Sequence, residues 1–175
     1  LRQYLTTADG SGPETIVEYG CGSGYNLLEV NRIFPKSRLV GLDRSANAVE
    51  IVRYLSRKKP LLRLTGEGHD FSKGFDRNPV TFMPQNSNHA VLTFGALEQT
   101  GTDGWYPFLH YLLNIARPSI CVHVEPLYEL YDETKLLDYL AAQYHRKRQY
   151  LTGFLPAIRS LQLRGGAEIL TEQRI

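Results

Sequence analysis

The chain is short of the residues that define several large classes of protein. Only two of its 175 residues are cysteines, Cys21 and Cys121. They make neither a secreted disulfide framework nor a metal-binding spacing, and leave a single disulfide as an open option. No cluster of His, Asp and Glu stands at a recognised metal spacing, so no metal is expected. There is no apolar run of bilayer length and no leader-like start, which makes a cytoplasmic protein without membrane contact the expectation. The chain opens on Leu1-Arg2-Gln3-Tyr4 with no Met, as expected of a chain trimmed ahead of this point, and targeting residues would have gone with the trimmed part. An excess of one charge is missing too. A formal net charge of +2 does not call for nucleic acid as a partner. Basic clusters at Arg57-Lys58-Lys59 and His145-Arg146-Lys147-Arg148 each follow an apolar helical pattern, where cations suit the carbonyl end or a wet face. Repeats, linkers and low-complexity tracts are also absent, so residues 1–175 read as one domain long enough to bury a substantial core.

What is present is organised around Thr15 to Leu28, TIVEYGCGSGYNLL. Apolar and β-branched residues run through the acid Glu18 into Gly20, Gly22 and Gly24, and an apolar helical pattern follows. The stretch reads as strand, glycine loop, helix. Glycines suit a tight corner or a close approach of ligand to main chain, and the helix start offers free amides. The dinucleotide fingerprint places its third glycine at the sixth position, which here is Tyr25. After the helix and Pro35, Ser37 to Asp43 reads as a second strand ending in a carboxylate. Asp43 stands about twenty residues past the loop, where a doubly wound sheet places the acid that accepts ribose hydroxyls. A cap beside Ser45, at the start of the next helix, is the other use for Asp43.

The pattern Glu18-x-Gly20-x-Gly22-x-Gly24 resembles motif I of the class I S-adenosylmethionine-dependent methyltransferases, in the small-molecule branch. The resemblance implies an α/β fold: a doubly wound, Rossmann-like, mostly parallel sheet. It implies S-adenosylmethionine as cofactor, with S-adenosylhomocysteine as product. Glu18, Gly20, Cys21, Gly22 and Gly24 would form the loop that passes its carboxypropyl part, and Asp43 would hold the ribose with Arg44 beside the adenine. In that family an acid just after the third strand bonds the adenine amine and an apolar neighbour covers the ring. Asp70 and Phe71 match that pair, an Asx-turn being the alternative for Asp70. Tyr4 would lie across the cofactor or simply pack.

The third strand is expected over Leu61 to Gly66, a short extra strand at VTF within 75–88, and the fourth strand over Asn88 to Phe94. The fourth ends Thr93-Phe94-Gly95-Ala96-Leu97-Glu98, without the Pro-Pro-aromatic end of the base-modifying enzymes. Phe94 and Gly95 would line the methionine end of the cofactor. A helix over Trp105 to Ala116 should present Tyr106, Leu109, Leu113 and Ala116 on one face. Ser119 to Val124 is the fifth strand, with Cys121, His123 and Glu125 on a common side. Candidates for a base or for substrate binding are Glu125 and Glu98, with His123 behind them. A lone strand histidine is more often a packed, hydrogen-bonded core residue. Glu98 is also read as a ligand for the cofactor ammonium or as a surface acid at a helix start.

From Leu127 to Arg164 the pattern is helical, with one stripe at Leu136, Leu137, Leu140 and Tyr144 and another at Tyr150, Leu151, Phe154 and Leu155. This region is expected to form a substrate cap between strand five and a sixth strand at Ala167 to Thr171; the family's seventh strand has no sequence here. The expected function is methyl transfer to an oxygen or nitrogen of a small molecule, such as a sugar or other hydroxylated metabolite. A protein or other macromolecular substrate, and a non-catalytic cofactor-binding partner subunit, are the alternatives. Oligomeric state is not readable.

Overall fold

A computed structural model describes residues 2–6, 11–70 and 88–174. Phe71 and the VTF segment lie outside the described residues. Among the described residues five strands form one parallel sheet in the order β3-β2-β1-β4-β5: β1 Thr15–Tyr19, β2 Arg38–Asp43, β3 Leu64–Gly68, β4 His89–Phe94 and β5 Ile120–Val124. After a short α1 (Arg2–Leu5), the crossovers are α2 (Tyr25–Ile33), α3 (Ala46–Lys58) and α4 (Trp105–Tyr111), the last continued by a wide π turn over Leu112–Ala116. Two further helices follow β5: α5 (Leu136–Arg148) and α6 (Phe154–Leu163).

The centre of the sheet is apolar on both faces, as a sheet covered on two sides requires. Every residue of β1 is buried. Alternation along the strand sends Val17 and Tyr19 to one face, with Val40, Leu42 and Val91, against Phe108, Tyr111 and Leu112 of the α4 region and Phe154 of α6. Ile16 goes to the other face with Leu39 and Leu92, against Leu27 and Val30 of α2 and Val52 of α3. From β1 the chain winds outward through β2 and β3, then returns to β1's other side and winds through β4 and β5. The direction of winding therefore reverses between β1 and β4, and a crevice at their carboxyl ends is where such sheets take ligands.

Several expectations need correction. The third strand starts at Leu64 rather than Leu61, because Pro60–Leu62 form a 3-10 turn and Arg63 takes a left-handed conformation with φ 47°. Among the described residues the sheet stops at β5: Ala167 to Thr171 form no strand and lie mostly exposed. The segment is held instead by side chains, Gln162 accepting from the Ile169 amide and Arg159 bonding Glu172. The helical region thus follows the last described strand rather than joining two strands. Tyr106 and Leu113 face solvent, and the buried side of α4 is Phe108, Leu109 and Tyr111, continued by Leu112 and Ala116 in the π turn. The stripe Leu136, Leu137, Leu140, Tyr144 is exposed too, whereas Leu151, Phe154 and Leu155 are buried as expected. No disulfide forms: Cys21 and Cys121 are free and pack on opposite faces of the sheet. Among the described residues no helix is long and apolar enough to cross a membrane.

Candidate functional site

The turn after β1 carries its glycines in the left-handed region, with φ 70° at Gly20, 53° at Gly22 and 79° at Gly24. A side chain at these positions would be strained, so the loop depends on glycine to fold back under β2. Gly20 and Cys21 donate their amides to Leu42 O, at 2.7 and 3.0 Å. Asp43, at the tip of β2, then closes the corner. Its Oδ2 accepts the Gly22 amide at 2.9 Å and its Oδ1 accepts the Ser45 amide at 2.8 Å. Ser45 itself caps α3 by accepting from the Ala48 amide at 3.4 Å. Each carboxylate oxygen of Asp43 keeps one further acceptor direction.

Gly20, Asp43, Arg44, Asp70 and Gly95 line one cleft, so the structure brings together five of the residues singled out in the sequence. Ala96, Gln99 and Thr100 complete its wall and carried no recognisable signal. They belong to a 3-10 turn, Leu97–Thr100, whose position comes from the tertiary fold. The described walls enclose about 150 Å³, less than the roughly 300–1,000 Å³ of ordinary ligand pockets, and the chain from 71 on lies outside the described residues. A wider groove of about 550 Å³ runs along the β3 edge. Its arginines are already committed, Arg53 to Gly66 O and Glu50, and Arg57 to Glu50, and none of the expected site residues line it.

The other expected cofactor residues do not line the cleft. Cys21 is buried with its sulfur toward β2, where a Cβ on Gly41 would approach it to 2.8 Å; burial pushes its thiol up to about 12. Gly24 begins α2 against Val52, and Phe94 packs in the core on the α2 side. Glu18 is fully buried beneath the loop. Asn26 of α2 donates to its Oε1 at 2.8 Å, while Oε2 has no donor among the described residues. Burial raises its carboxyl to about 7, the Asn26 bond opposing and the neighbouring Asp43 charge adding to the rise.

Past Gly95 the three candidate reacting groups stand in distinct surroundings. His123 bonds Thr93 Oγ1 through Nδ1 at 2.9 Å and stands edge-on to Phe108 and Phe154. Burial lowers its imidazole to about 4, so it is a neutral packed histidine at physiological pH. Glu125 spans the turn after β4: Oε1 accepts the amides of Ala96 and Leu97 at 3.3 and 3.2 Å, and Oε2 accepts that of Glu98 at 3.2 Å. Burial still leaves its carboxyl above the usual range. Glu125→Gln should lower the thermal midpoint by several degrees, since an amide NH₂ would face a backbone N–H, a loss of about 1–3 kcal/mol. Scanning calorimetry checks this; an unchanged midpoint would deny Glu125 its tie.

Among the described residues Glu98 has no such backbone ties on its side chain. Its carboxylate lies over Gly95, 4.0 Å from where a Cβ on that glycine would stand. Burial, and then the charge of Glu125, raise it to about 7. The phenols of Tyr131 and Tyr150 are pushed up chiefly by burial and in part by this carboxylate. A carboxyl of this kind, half-buried beside the cleft and titrating near neutrality, is suited to take up and release a proton.

The sequence matches the family model described as methyltransferase domain over residues 16–119. No curated protein matches it. Among solved structures it is similar to the mitomycin 7-O-methyltransferase MmcR, at 18% identity and a TM-score of 0.64, over 87% of this chain and 42% of that one. It is similar also to WbdD, at 15% identity and a TM-score of 0.55, over 79% of this chain and 30% of that one. The likeness is one of fold, and the chain spans less than half the length of either structure.

Proposed function

The chain belongs to the methyltransferase domain family, and from that premise we propose that it binds S-adenosylmethionine in the cleft at the β1–β4 reversal and methylates an oxygen of a small hydroxylated molecule. The residues fit such a cofactor. A glycine corner gives a ligand access to main chain, Asp43 has acceptor capacity to spare for ribose hydroxyls, and Asp70 lines the same cleft with a group that only accepts from an adenine amine. The buried oxygen of Glu18 that has no donor among the described residues favours a cationic ligand above it.

S-adenosylmethionine, when bound, supplies a methyl group made electrophilic by its sulfonium. Gly20 and Gly95 would line the methionine end, Asp43 and Arg44 the ribose and adenine. Glu98 is the group for the acceptor: it takes the hydroxyl proton as the acceptor oxygen bonds to carbon, a need that a neutral amine does not share to the same degree. Glu125 and His123 position the turn that carries Glu98 and do not exchange the proton. Glu98 beside Gly95, with a carboxyl titrating near 7, is the observation that carries the reading of oxygen over nitrogen.

Two measurements test it. Calorimetry should show S-adenosylmethionine binding that Asp43→Ala weakens at least tenfold, since charge-assisted hydrogen bonds of about 1.5–3 kcal/mol are lost; unchanged affinity removes the ribose assignment. A panel of sugars, polyols, phenols and amines, with S-adenosylhomocysteine release as the readout, should turn over hydroxyl compounds. Turnover confined to amines would replace oxygen by nitrogen as the acceptor.

A further inference from the structure

The turn that carries Glu98 does not hold itself in place. It is four residues of 3-10 helix, Leu97–Thr100, flanked by glycines at positive φ, 58° at Gly95 and 88° at Gly101. Glycine leaves such joints free to swing, and a single 3-10 turn has few bonds of its own to resist. The hold comes from outside. On the β5 side the Glu125 carboxylate takes the amides of Ala96, Leu97 and Glu98. On the other side the Leu151 amide donates to Glu98 O at 2.9 Å, and that of Thr152 to Thr102 O at 3.3 Å.

Leu151 is itself held by helix α5. His145, 2% exposed, lies with Nε2 2.6 Å from Leu151 O. A carbonyl only accepts, so Nε2 carries a proton and is the donor. Three tyrosines box the imidazole, the ring centres of Tyr128, Tyr131 and Tyr150 standing 5.7, 6.0 and 5.5 Å from its own. A polar ring in such a box is costly to bury unless its nitrogen is bonded. Two of the three tyrosines also reach the reacting side, since the phenols of Tyr131 and Tyr150 are raised in part by the Glu98 carboxylate. One imidazole thus supports Glu98 twice, through Leu151 at its backbone and through two tyrosines near its carboxylate.

On the reading of Glu98 as the base, we propose that His145 is its positioning residue: from a helix that lines no part of the described cleft, it keeps the turn and its carboxylate half-buried over Gly95. With the bond to Leu151 cut, the turn moves outward. Glu98 then gains water and distance from Glu125, and both changes lower its carboxyl. The titrating groups around it are Glu125, Tyr131 and Tyr150, with Asp138 and Arg174 acting on Tyr131, and Tyr144 and Arg148 on Tyr150. Substitution of His145 removes none of them.

Carbon-13 NMR of the glutamate carboxyls in the purified protein without added cofactor reads this, Glu98→Gln identifying the signal. Wild-type Glu98 should titrate at about 7. In His145→Phe, which fills the box without a donor, it should titrate at about 6 or below. His145→Asn, polar but too short to reach Leu151 O, should follow His145→Phe, and the two differ enough in size that one serves if the other fails to fold. In His145→Gln, whose amide still donates to Leu151 O, the signal should stay at the wild-type value. Turnover of the hydroxyl compounds should fall about tenfold or more in kcat in His145→Phe, with little change in KM for S-adenosylmethionine, and recover in His145→Gln. A Glu98 signal unmoved in the donorless variants overturns the positioning role, whatever Glu98 does in turnover. Equal loss in His145→Gln overturns it too, since the donor is then in place. Wild-type turnover in Glu98→Gln is a separate result, which removes the base and with it the part of His145 in the reaction.

Discussion

Glu18→Gln should stabilise the cofactor-free protein at pH 8 and, by the same change, weaken its binding of S-adenosylmethionine. Glu18 is fully buried, has Asn26 as its one bonded neighbour among the described residues, and shares the corner with the charge of Asp43. Its carboxyl is raised from an ordinary 4.5 to about 7. A carboxyl raised on folding holds its proton more tightly in the folded state, so the folded protein binds more protons than the unfolded one between pH 4.5 and 7. Stability falls across that window as pH rises, and above it the cost is fully present, about 3 kcal/mol for a shift of this size. Glutamine keeps the bond from Asn26 and removes the ionisable group. The expected result is a midpoint roughly 6–12 °C above wild type at pH 8, converging with it near pH 4. Glu98 and Glu125 titrate upward too, so the difference between variant and wild type isolates Glu18. Binding should respond in the opposite sense, wild-type affinity rising from pH 6 to 8 and Glu18→Gln losing both about tenfold in affinity and the pH dependence. Equal melting of the two proteins at pH 8 would refute the strain assigned to this acid.

The largest effect on turnover is expected at Glu98. Glu98→Gln should lower kcat by about 10²–10⁴, the usual reach of a positioned general base, with a much smaller change in cofactor affinity. In the wild type, kcat/KM should rise with pH through about 7 and then level, because the carboxyl must be ionised to accept a proton. Glu125 contributes to that elevated value through its charge, so Glu125→Gln should move the rising limb to lower pH. Rate profiles between pH 5 and 9 on an identified acceptor read all of this. A Glu98→Gln enzyme with wild-type kcat would leave the reaction without this base.

Much of the architecture was legible because local chemistry and global fold agree there. Apolar strands interrupted by Gly20, Gly22 and Gly24, an acid at Asp43 and another at Asp70 are properties of short stretches, and the topology carries Gly20, Asp43 and Asp70 to one rim. What could not be read depends on contacts distant in sequence. Glu98 and Glu125 are both acids near strand ends, and only the fold shows that Glu125 caps three amides while the carboxylate of Glu98 lies half-buried over Gly95. Gln99 and Thr100 reach the cleft because a 3-10 turn follows β4, which no periodicity announces. Helix α5 misled for a different reason: its apolar spacing is sound, but its polar residues are the ones with buried partners, so the stripe points outward. The expected strand over 167–171 failed because β-propensity without a neighbour to pair with does not make a ladder.

The link between α5 and α6 is no slack tether. Every amide from Gln149 to Gly153 is spent: on Arg146 O, His145 O, Glu98 O, Thr102 O and the Glu129 carboxylate in turn. Leu151 among them ties the turn that bears the proposed base to His145 of α5. Its length works as a gauge, and a residue inserted or removed there would throw helix and turn out of step in a way that surface loops elsewhere would absorb.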